Sequence, residues 1–244
     1  MPWHDSRGLG GKLESYFQRR ALNRALFVTS PSISALDHLV KTEVISKEAA
    51  VFDPNLLDLR VDGSFSQQYR VHDPLRLLFC GRLVPQKGLD SLIETLSRVR
   101  RPIHLVIAGV GEAESDLRAR AARMADGPHT VVFKGHIDNV EPLIDWCHLA
   151  IMPSRSELEP VFVWESWARG RAVIGRNITA FRDLSKYGPM HLFSNEEDII
   201  AILEAADSGR PPFQGDYARA IKSLPSECSR SAVVDFLMNG ASSI

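Results

Sequence analysis

The sequence predicts an α/β fold built on a doubly wound parallel sheet, and two observations support this prediction. Short β-branched runs alternate with segments of helical periodicity over most of the 244 residues, which is typical of βα units. Apolar residues make up 44% of the chain, enough to fill the core of one large domain, or of one domain and part of another. We expect strands at residues 25–29, 49–53, 75–81, 103–109, 130–135, 149–153 and 172–175.

Helices are expected between those strands, where apolar positions recur at helical spacing. Six segments fit: 34–40, 89–99, 112–124, 140–147, 160–169 and 197–206. Residues 59–74 interrupt the alternation with Asp, Gly, Ser, Gln and Pro, and we interpret them as a linker. The predicted organisation is a short N-terminal βα remnant at 1–58, the linker at 59–74, one doubly wound domain at 75–212, and two C-terminal helices within 213–244, near 215–223 and 230–238.

Charge and cysteine content narrow the function classes. The net charge is −1 and the pI is about 6.7, so no basic field attracts nucleic acid, and no nucleic-acid partner is predicted. Cys80, Cys147 and Cys228 lack metal-ligand spacing, and no metal site is predicted. Two of them lie in or beside apolar runs, which indicates buried thiols in a reducing compartment and a cytoplasmic protein. No apolar run approaches the roughly 18 residues that span a bilayer, and peripheral membrane contact stays open.

The first candidate site is the loop from Gly81 to Gly88, which follows an apolar strand and precedes a helix. Parallel sheets bind ligands where strand ends meet helix starts, because backbone N–H groups and the helix dipole converge there. Arg82 and Lys87 add two cations, the first with a guanidinium fork that matches phosphate oxygens. The alternative, two solvated surface residues, stays open.

The second candidate site is a pair of carboxylates, Glu157 and Glu165, at the start of an apolar helix with Pro160 in its first turn. An ionised carboxylate in such a helix needs a partner. Ribose hydroxyls would serve Glu165, and so would Arg169 one turn further on. Glu157 precedes the helix and could accept hydrogen bonds from sugar hydroxyls or cap the helix, as could Glu159.

Two further strand ends carry weaker signals. Gly109-Val110-Gly111 is half of a dinucleotide fingerprint, a close-packed turn explains it equally well, and an NAD site is not expected. His136 faces the same rim, where contact with a base or phosphate and an incidental surface histidine are both open. Asn139 is predicted to cap the next helix. Two cations beside two carboxylates suit a sugar joined to a nucleotide through a diphosphate.

Taken in order, these motifs resemble the C-terminal half of the glycosyltransferase group 1 family, which are retaining, metal-independent enzymes of GT-B architecture. The likeness covers residues 77–203 and rests on Gly81 to Leu92, Ile107 to Gly111, Phe133 to Val140, and Pro153-Ser154 through Glu157, Glu165, Ala168, Gly170 and Val173. The resemblance implies a Rossmann-like domain that binds a UDP- or GDP-linked sugar and needs no cofactor. It assigns the diphosphate to Arg82 and Lys87, the sugar hydroxyls to Glu157 and the ribose to Glu165. The rest of the implied donor-binding set is Gly109, Gly111, His136, Val161 and Phe162.

The chain also departs from the family pattern. Relatives usually have Phe-Gly shortly after the first glutamate, where this chain has Leu158-Glu159-Pro160-Val161, and a second Gly-Gly is replaced by Thr179-Ala180. The proline removes a possible N–H donor, and Glu159 adds negative charge. Residues 22–58 resemble the last βα segment of the family's N-terminal domain. His4 stands about where many relatives have a histidine near the donor sugar, so the implied catalytic set is His4, Arg82, Lys87 and Glu157.

The leading hypothesis is a glycosyltransferase, or its donor-binding half, that moves a sugar with retention to an unknown acceptor, whether glycan, lipid-linked or small molecule. The alternative is a non-catalytic nucleotide-sugar-binding or assembly subunit. Because most of an N-terminal domain is not recognisable, we expect self-association or a separate acceptor-domain subunit. A third hypothesis, an inert remnant of a broken gene, is disfavoured because the four main binding residues are intact: Arg82, Lys87, Glu157 and Glu165.

Overall fold

The structure is a computed structural model that describes residues 20–25, 28–30, 33–47, 49–52, 74–158 and 160–206. The chain divides into two compact units, the first represented here by residues up to 52 and the second by residues from 74. Residues 59–73 of the predicted linker and both predicted C-terminal helices lie outside the described residues, so the domain boundaries stay a prediction.

The first unit contains a βαβ arrangement. Strand β1 (Val28–Ser30) pairs in parallel with β2 (Ala50–Phe52), and helix α1 (Ile33–Lys41) connects them. A small buried cluster of Leu36, Val44 and Ile45 holds α1 and the turn after it together. The two strands and the helix expected in this region are therefore present, at slightly different bounds.

The second unit is a six-stranded, fully parallel sheet with helices between successive strands. Its elements are β3 (Leu75–Cys80), a 3₁₀ turn (Pro85–Lys87), α2 (Leu89–Leu96), β4 (Ile103–Ala108), α3 (Glu114–Ala122), β5 (Thr130–Gly135), α4 (Glu141–Trp146), β6 (Leu149–Met152), α5 (Val161–Ala168), β7 (Val173–Arg176), α6 (Thr179–Leu184), β8 (Met190–Phe193) and α7 (Glu196–Ala205). The predicted doubly wound parallel sheet is confirmed.

The burial of the central strands explains why the alternation of strands and helices could be predicted from the sequence. Leu77, Leu78 and Phe79 on β3 are fully buried on both faces of the sheet, as are Ala150 and Ile151 on β6. A strand covered by helices on both sides becomes a continuous apolar run, and such runs are the strongest strand signal in a sequence.

The strand order is β5-β4-β3-β6-β7-β8. Strands β4 and β5 therefore lie on one side of β3, and β6, β7 and β8 lie on the other. The loop after β3 and the loop after β6 leave the sheet at neighbouring positions and in the same direction. In open α/β sheets this switch point is where ligands bind. Both predicted candidate sites, residues 81–88 and the loop that carries Glu157, lie there.

Some element predictions were wrong. Strand β8 and helix α6 were not expected, and several helices are shorter than predicted, including α2, which ends at Leu96. Gly81 and Gly109 lie just beyond β3 and β4 and not within them. Cys147 is fully buried as expected and Cys80 partly, while Cys228 lies outside the described residues. Burial raises the pKa of the Cys147 thiol to about 12.

Candidate active site

The loop after β3 is built so that helix α2 begins directly beside the loop after β6. A 3₁₀ turn from Pro85 to Lys87 ends at Gly88, whose φ of 69° lies in the left-handed region. A Cβ atom on Gly88 would lie 2.2 Å from the carbonyl oxygen of Pro153. Only glycine therefore allows the start of α2 to approach the end of β6 this closely.

The two predicted cations occupy different environments in this loop. Arg82 is exposed, and within the described ranges its guanidinium forms no hydrogen bond or ion pair. Lys87 is largely buried, and its Nζ donates a hydrogen bond to Oε1 of Glu157 at 2.5 Å. The side chains of this pair are only 15% and 9% exposed. The structure thus brings together Lys87 and Glu157, which belong to the two separate sequence motifs.

A second set of contacts joins the same two loops, and sequence reasoning missed it. Arg155 donates to Asp90 through both ends of its guanidinium, Nη1 to Oδ1 at 2.9 Å and Nη2 to Oδ2 at 2.8 Å, and it also donates to the carbonyl of Pro85. Its backbone N–H donates to the carbonyl of Gln86 at 2.8 Å. The hydrogen bonds from Arg155 lower the pKa of Asp90. The only sequence signal was the position of Arg155, two residues before Glu157.

Glu165 lies half-buried on α5, and Arg169 does not neutralise it. Arg169 instead donates from Nε to Oδ1 of Asp145 at 2.7 Å and lies 3.5 Å from Oε2 of Glu141, both on α4. In the part of the chain that the structure describes, the Glu165 carboxylate accepts no hydrogen bond and forms no ion pair. Burial, followed by the negative charge of Glu141, raises the pKa of Glu165.

The position of Glu165 is also visible in its effect on Cys80. Burial raises the pKa of the Cys80 thiol to about 11, and the Glu165 carboxylate adds to that rise. Cys80 is the last residue of β3, so Glu165 acts electrostatically on the end of the strand that leads into the Arg82 loop. The structural alternative, in which Arg169 is its partner, is not what the structure shows.

The glycine pair after β4 packs against the loop after β3. A Cβ atom on Gly109, whose φ is 132°, would lie 1.9 Å from the carbonyl oxygen of Gly81, and one on Gly111 would lie 2.3 Å from that of Leu83. The N–H of Leu83 donates to the carbonyl of Val110 at 2.9 Å. Close packing accounts for both glycines, as one of the two sequence readings held, and their contact with a donor stays a prediction.

The remaining predicted residues are less informative. His136 is 76% exposed, with its Nε2 3.3 Å from Oδ1 of Asp138, at the end of edge strand β5. Asn139 was predicted as the N-cap of α4, but Val140 occupies that position; Asn139, one residue earlier, accepts a hydrogen bond from the N–H of Glu141 at 3.0 Å. His4 and Glu159 lie outside the described residues.

Helix α5 begins at Val161, immediately after Pro160. The first N–H groups of an α-helix have no acceptor within the helix, so those of Val161 and Phe162 are suited to a ligand at the switch point. Among the residues that the structure describes, no side chain accepts a hydrogen bond from the start of this helix, and the Glu157 carboxylate is directed to Lys87. The capping role considered for Glu157 is therefore wrong.

The described residues hold no group of three or more His, Cys, Asp or Glu side chains arranged to bind a metal ion. The prediction that the reaction needs no metal stays a prediction. Across the same ranges, no helix combines the length and the hydropathy needed to cross a membrane.

The six-stranded parallel sheet with helices between its strands is a Rossmann-like domain and matches glycosyltransferase structures of the GT-B type. The chain belongs to the family of glycosyl transferases group 1, whose family model matches residues 74–211. The resemblance drawn from the motifs is thereby confirmed.

Curated relatives match over the same region. The O-antigen biosynthesis glycosyltransferase WclY of Escherichia coli is 32% identical over 136 residues, which cover 54% of this chain and 37% of WclY. Glycogen synthase of Mycobacterium tuberculosis is 29% identical over 140 residues, which cover 55% of this chain and 34% of the synthase. The match spans about a third of the length of these relatives.

Solved structures share the fold at low sequence identity. Anabaena HepE in complex with UDP superimposes with a TM-score of 0.73 at 18% identity, covering 100% of this chain and 70% of HepE. A mutant of S. aureus TarM in complex with fondaparinux, α-GlcNAc-glycerol and UDP gives a TM-score of 0.72 at 16% identity, covering 97% of this chain and 48% of TarM.

Proposed function

We propose that this chain is a glycosyltransferase, or the donor-binding half of one, and that it takes a sugar from a UDP-linked donor. The observation that carries the proposal is the contact between Lys87 and Glu157 at the switch point of the sheet. Family membership supports it, and so do the structural neighbours whose complexes contain UDP or UDP-glucose. A cation for the diphosphate and a carboxylate for the sugar hydroxyls stand next to each other.

Each side chain has a defined task in this proposal. Lys87, Arg82 and the first N–H groups of α2 stabilise the negative charge that develops on the departing diphosphate. Glu157 accepts hydrogen bonds from hydroxyls of the donor sugar, and Glu165 from those of the ribose. Retention at the anomeric carbon and independence from metal are part of the proposal because the family resemblance implies them.

A second candidate function is a nucleotide-sugar-binding subunit without transferase activity. The observation that favours it is the loop after Glu157, where Leu158 is 47% exposed and Pro160 lacks an N–H group. The family resemblance leads us to expect Phe-Gly in this stretch, and the proline removes a possible N–H donor to the ligand. This candidate function predicts that the donor binds and that no sugar is transferred.

One experiment separates the two functions. The purified chain is titrated with UDP and GDP by calorimetry and then incubated with UDP- and GDP-sugars, with and without candidate acceptors and partners, while nucleotide release is followed. Lys87→Ala should lose nucleotide binding, whereas Lys186→Ala, which removes an exposed lysine paired with Asp183, should not. Binding with release supports the transferase, binding without release supports the subunit, and no binding rejects both.

A further inference from the structure

The two loops of the candidate site are joined by a brace made of Arg155, Asp90, Gln86 and Ser156. Besides the contacts of Arg155 described above, Nε2 of Gln86 donates to the carbonyl of Ser156 at 2.9 Å. Each loop supplies hydrogen-bond donors to the other: Arg155 donates to residues of the β3 loop and of α2, and Gln86 donates to the β6 loop. The peptide segments 85–86 and 155–156 are therefore fixed against each other by main-chain and side-chain bonds together.

The brace lies next to the charged pair at both of its ends. Gln86 is adjacent to Lys87, and Ser156 is adjacent to Glu157. Lysine is long and flexible, so a short contact between its Nζ and one carboxylate oxygen depends on how the two backbones are held. Arg155 is well suited to hold them, since a guanidinium that binds both oxygens of a carboxylate fixes orientation as well as distance.

Arg155 has a second effect, on charge. Asp90 is the second residue of α2, in the first turn of the helix whose first N–H groups the proposed function assigns to the diphosphate. A free carboxylate there would repel that diphosphate. The bidentate bond to Arg155 neutralises it, so an experiment has to separate loop geometry from local charge.

We propose that Arg155 is a positioning residue that holds Glu157 against Lys87 through its brace to Asp90 and the turn at residues 85–86. This inference rests on the proposed function only in naming the diphosphate and the sugar as the ligands of the pair. Arg155 itself need not touch either ligand.

The test measures how strongly Glu157 competes for Lys87 with and without the side-chain bonds that Arg155 makes to Asp90 and Pro85. Removing the Glu157 charge frees Lys87 for an anion, so Glu157→Gln should tighten binding of UDP about tenfold in the wild-type background. In the Arg155→Ala/Asp90→Asn background, which removes the side-chain bonds of Arg155 to Asp90 and to Pro85 but leaves no unpaired charge, the same substitution should change the Kd of UDP by less than about threefold, because the pair is no longer held in contact. Calorimetry on all four proteins gives these values.

Arg98→Ala supplies the matched control. It removes an arginine that likewise forms ion pairs, here with Glu196 and Glu197, but at an exposed position two residues after the C-terminal end of α2. The effect of Glu157→Gln should be unchanged in that background. An equal effect of Glu157→Gln in the wild type and in the Arg155→Ala/Asp90→Asn background would overturn the proposal, as would no effect in the wild type.

Failure of the proposed function has a different signature. If the wild type binds neither UDP nor GDP, the function is rejected, and the brace is then tested by chemical denaturation. Glu157→Gln should lower the free energy of unfolding in the wild-type background because a largely buried Lys87 loses its partner. A loss of the same size in the Arg155→Ala/Asp90→Asn background would overturn the role of Arg155.

Discussion

Glu157→Gln is expected to strengthen the binding of free UDP, although it removes a residue of the proposed donor site. In the unliganded protein, Glu157 neutralises Lys87 at a distance of 2.5 Å. An anion on Lys87 would lie roughly 5 Å from the carboxylate, since two hydrogen bonds of about 2.8 Å are in series. At an effective dielectric constant of about 20, like charges at that separation repel by about 3 kcal/mol.

Solvent screening, and a remaining hydrogen bond to the amide of the new side chain, reduce the expected gain to about 1 to 2 kcal/mol, or about 5- to 30-fold in Kd. UDP-glucose should gain less, because its hydroxyls lose their carboxylate acceptor, and transfer should slow. Calorimetry at pH 7 with UDP and with UDP-glucose measures both effects. Glu197→Gln, which breaks an exposed ion pair with Arg98, is the control and should change neither. A folded Glu157→Gln protein with unchanged or weaker UDP affinity would refute the reasoning.

Three further predictions concern the same site. Arg82→Ala should weaken UDP binding by about 1.5 to 3 kcal/mol, the range for a charge-assisted hydrogen bond. It should leave the melting temperature unchanged because Arg82 is exposed. Equal UDP affinities of the variant and the wild type in calorimetry would exclude Arg82 from the diphosphate site. Glu165→Gln should raise the melting temperature of the free protein at pH 7 to 8, because a pKa raised in the folded state destabilises the ionised carboxylate above the unfolded pKa of about 4.3, and this gain should vanish as the pH falls below that value. The same substitution should weaken nucleotide binding at pH 7. A loss of stability with intact binding would contradict the ribose role. Gly109→Ala should lower the free energy of unfolding, measured by urea titration, by about 2 kcal/mol or more. The reason is that the new Cβ atom would clash with the carbonyl of Gly81 and that the φ of Gly109 lies in the left-handed region. An unchanged free energy of unfolding would show that this turn can relax.

The architecture was predictable because its strongest signals come from burial. The apolar run of β3 and the helical spacing of α2 follow from what each element must cover. Strand β8 escaped prediction because it is a four-residue edge strand whose first three residues, Met190 to Leu192, are only partly buried. Helix α6, six residues long, offers less than two turns of periodicity.

The candidate site was predictable only to the level of the loop. Glu157 and Lys87 could be placed on one rim, since the carboxyl ends of parallel strands share one edge of a sheet. Their direct contact, and the bond between Arg155 and Asp90 across 65 positions, depend on loop paths that no local pattern encodes. For Arg169, helical spacing pointed to Glu165 one turn away, but its partner is Asp145, on a different helix.

The way the β4 turn packs under the Arg82 loop has a consequence for engineering. The contacts that shape residues 81–83 involve carbonyl and N–H groups of the main chain, together with two glycines that have no side chain to vary. Outward-facing positions such as Arg82 can therefore be randomised in a mutant library without reshaping the loop. Selection on such a library would tune anion affinity, while Gly109 and Gly111 should be kept constant in its design.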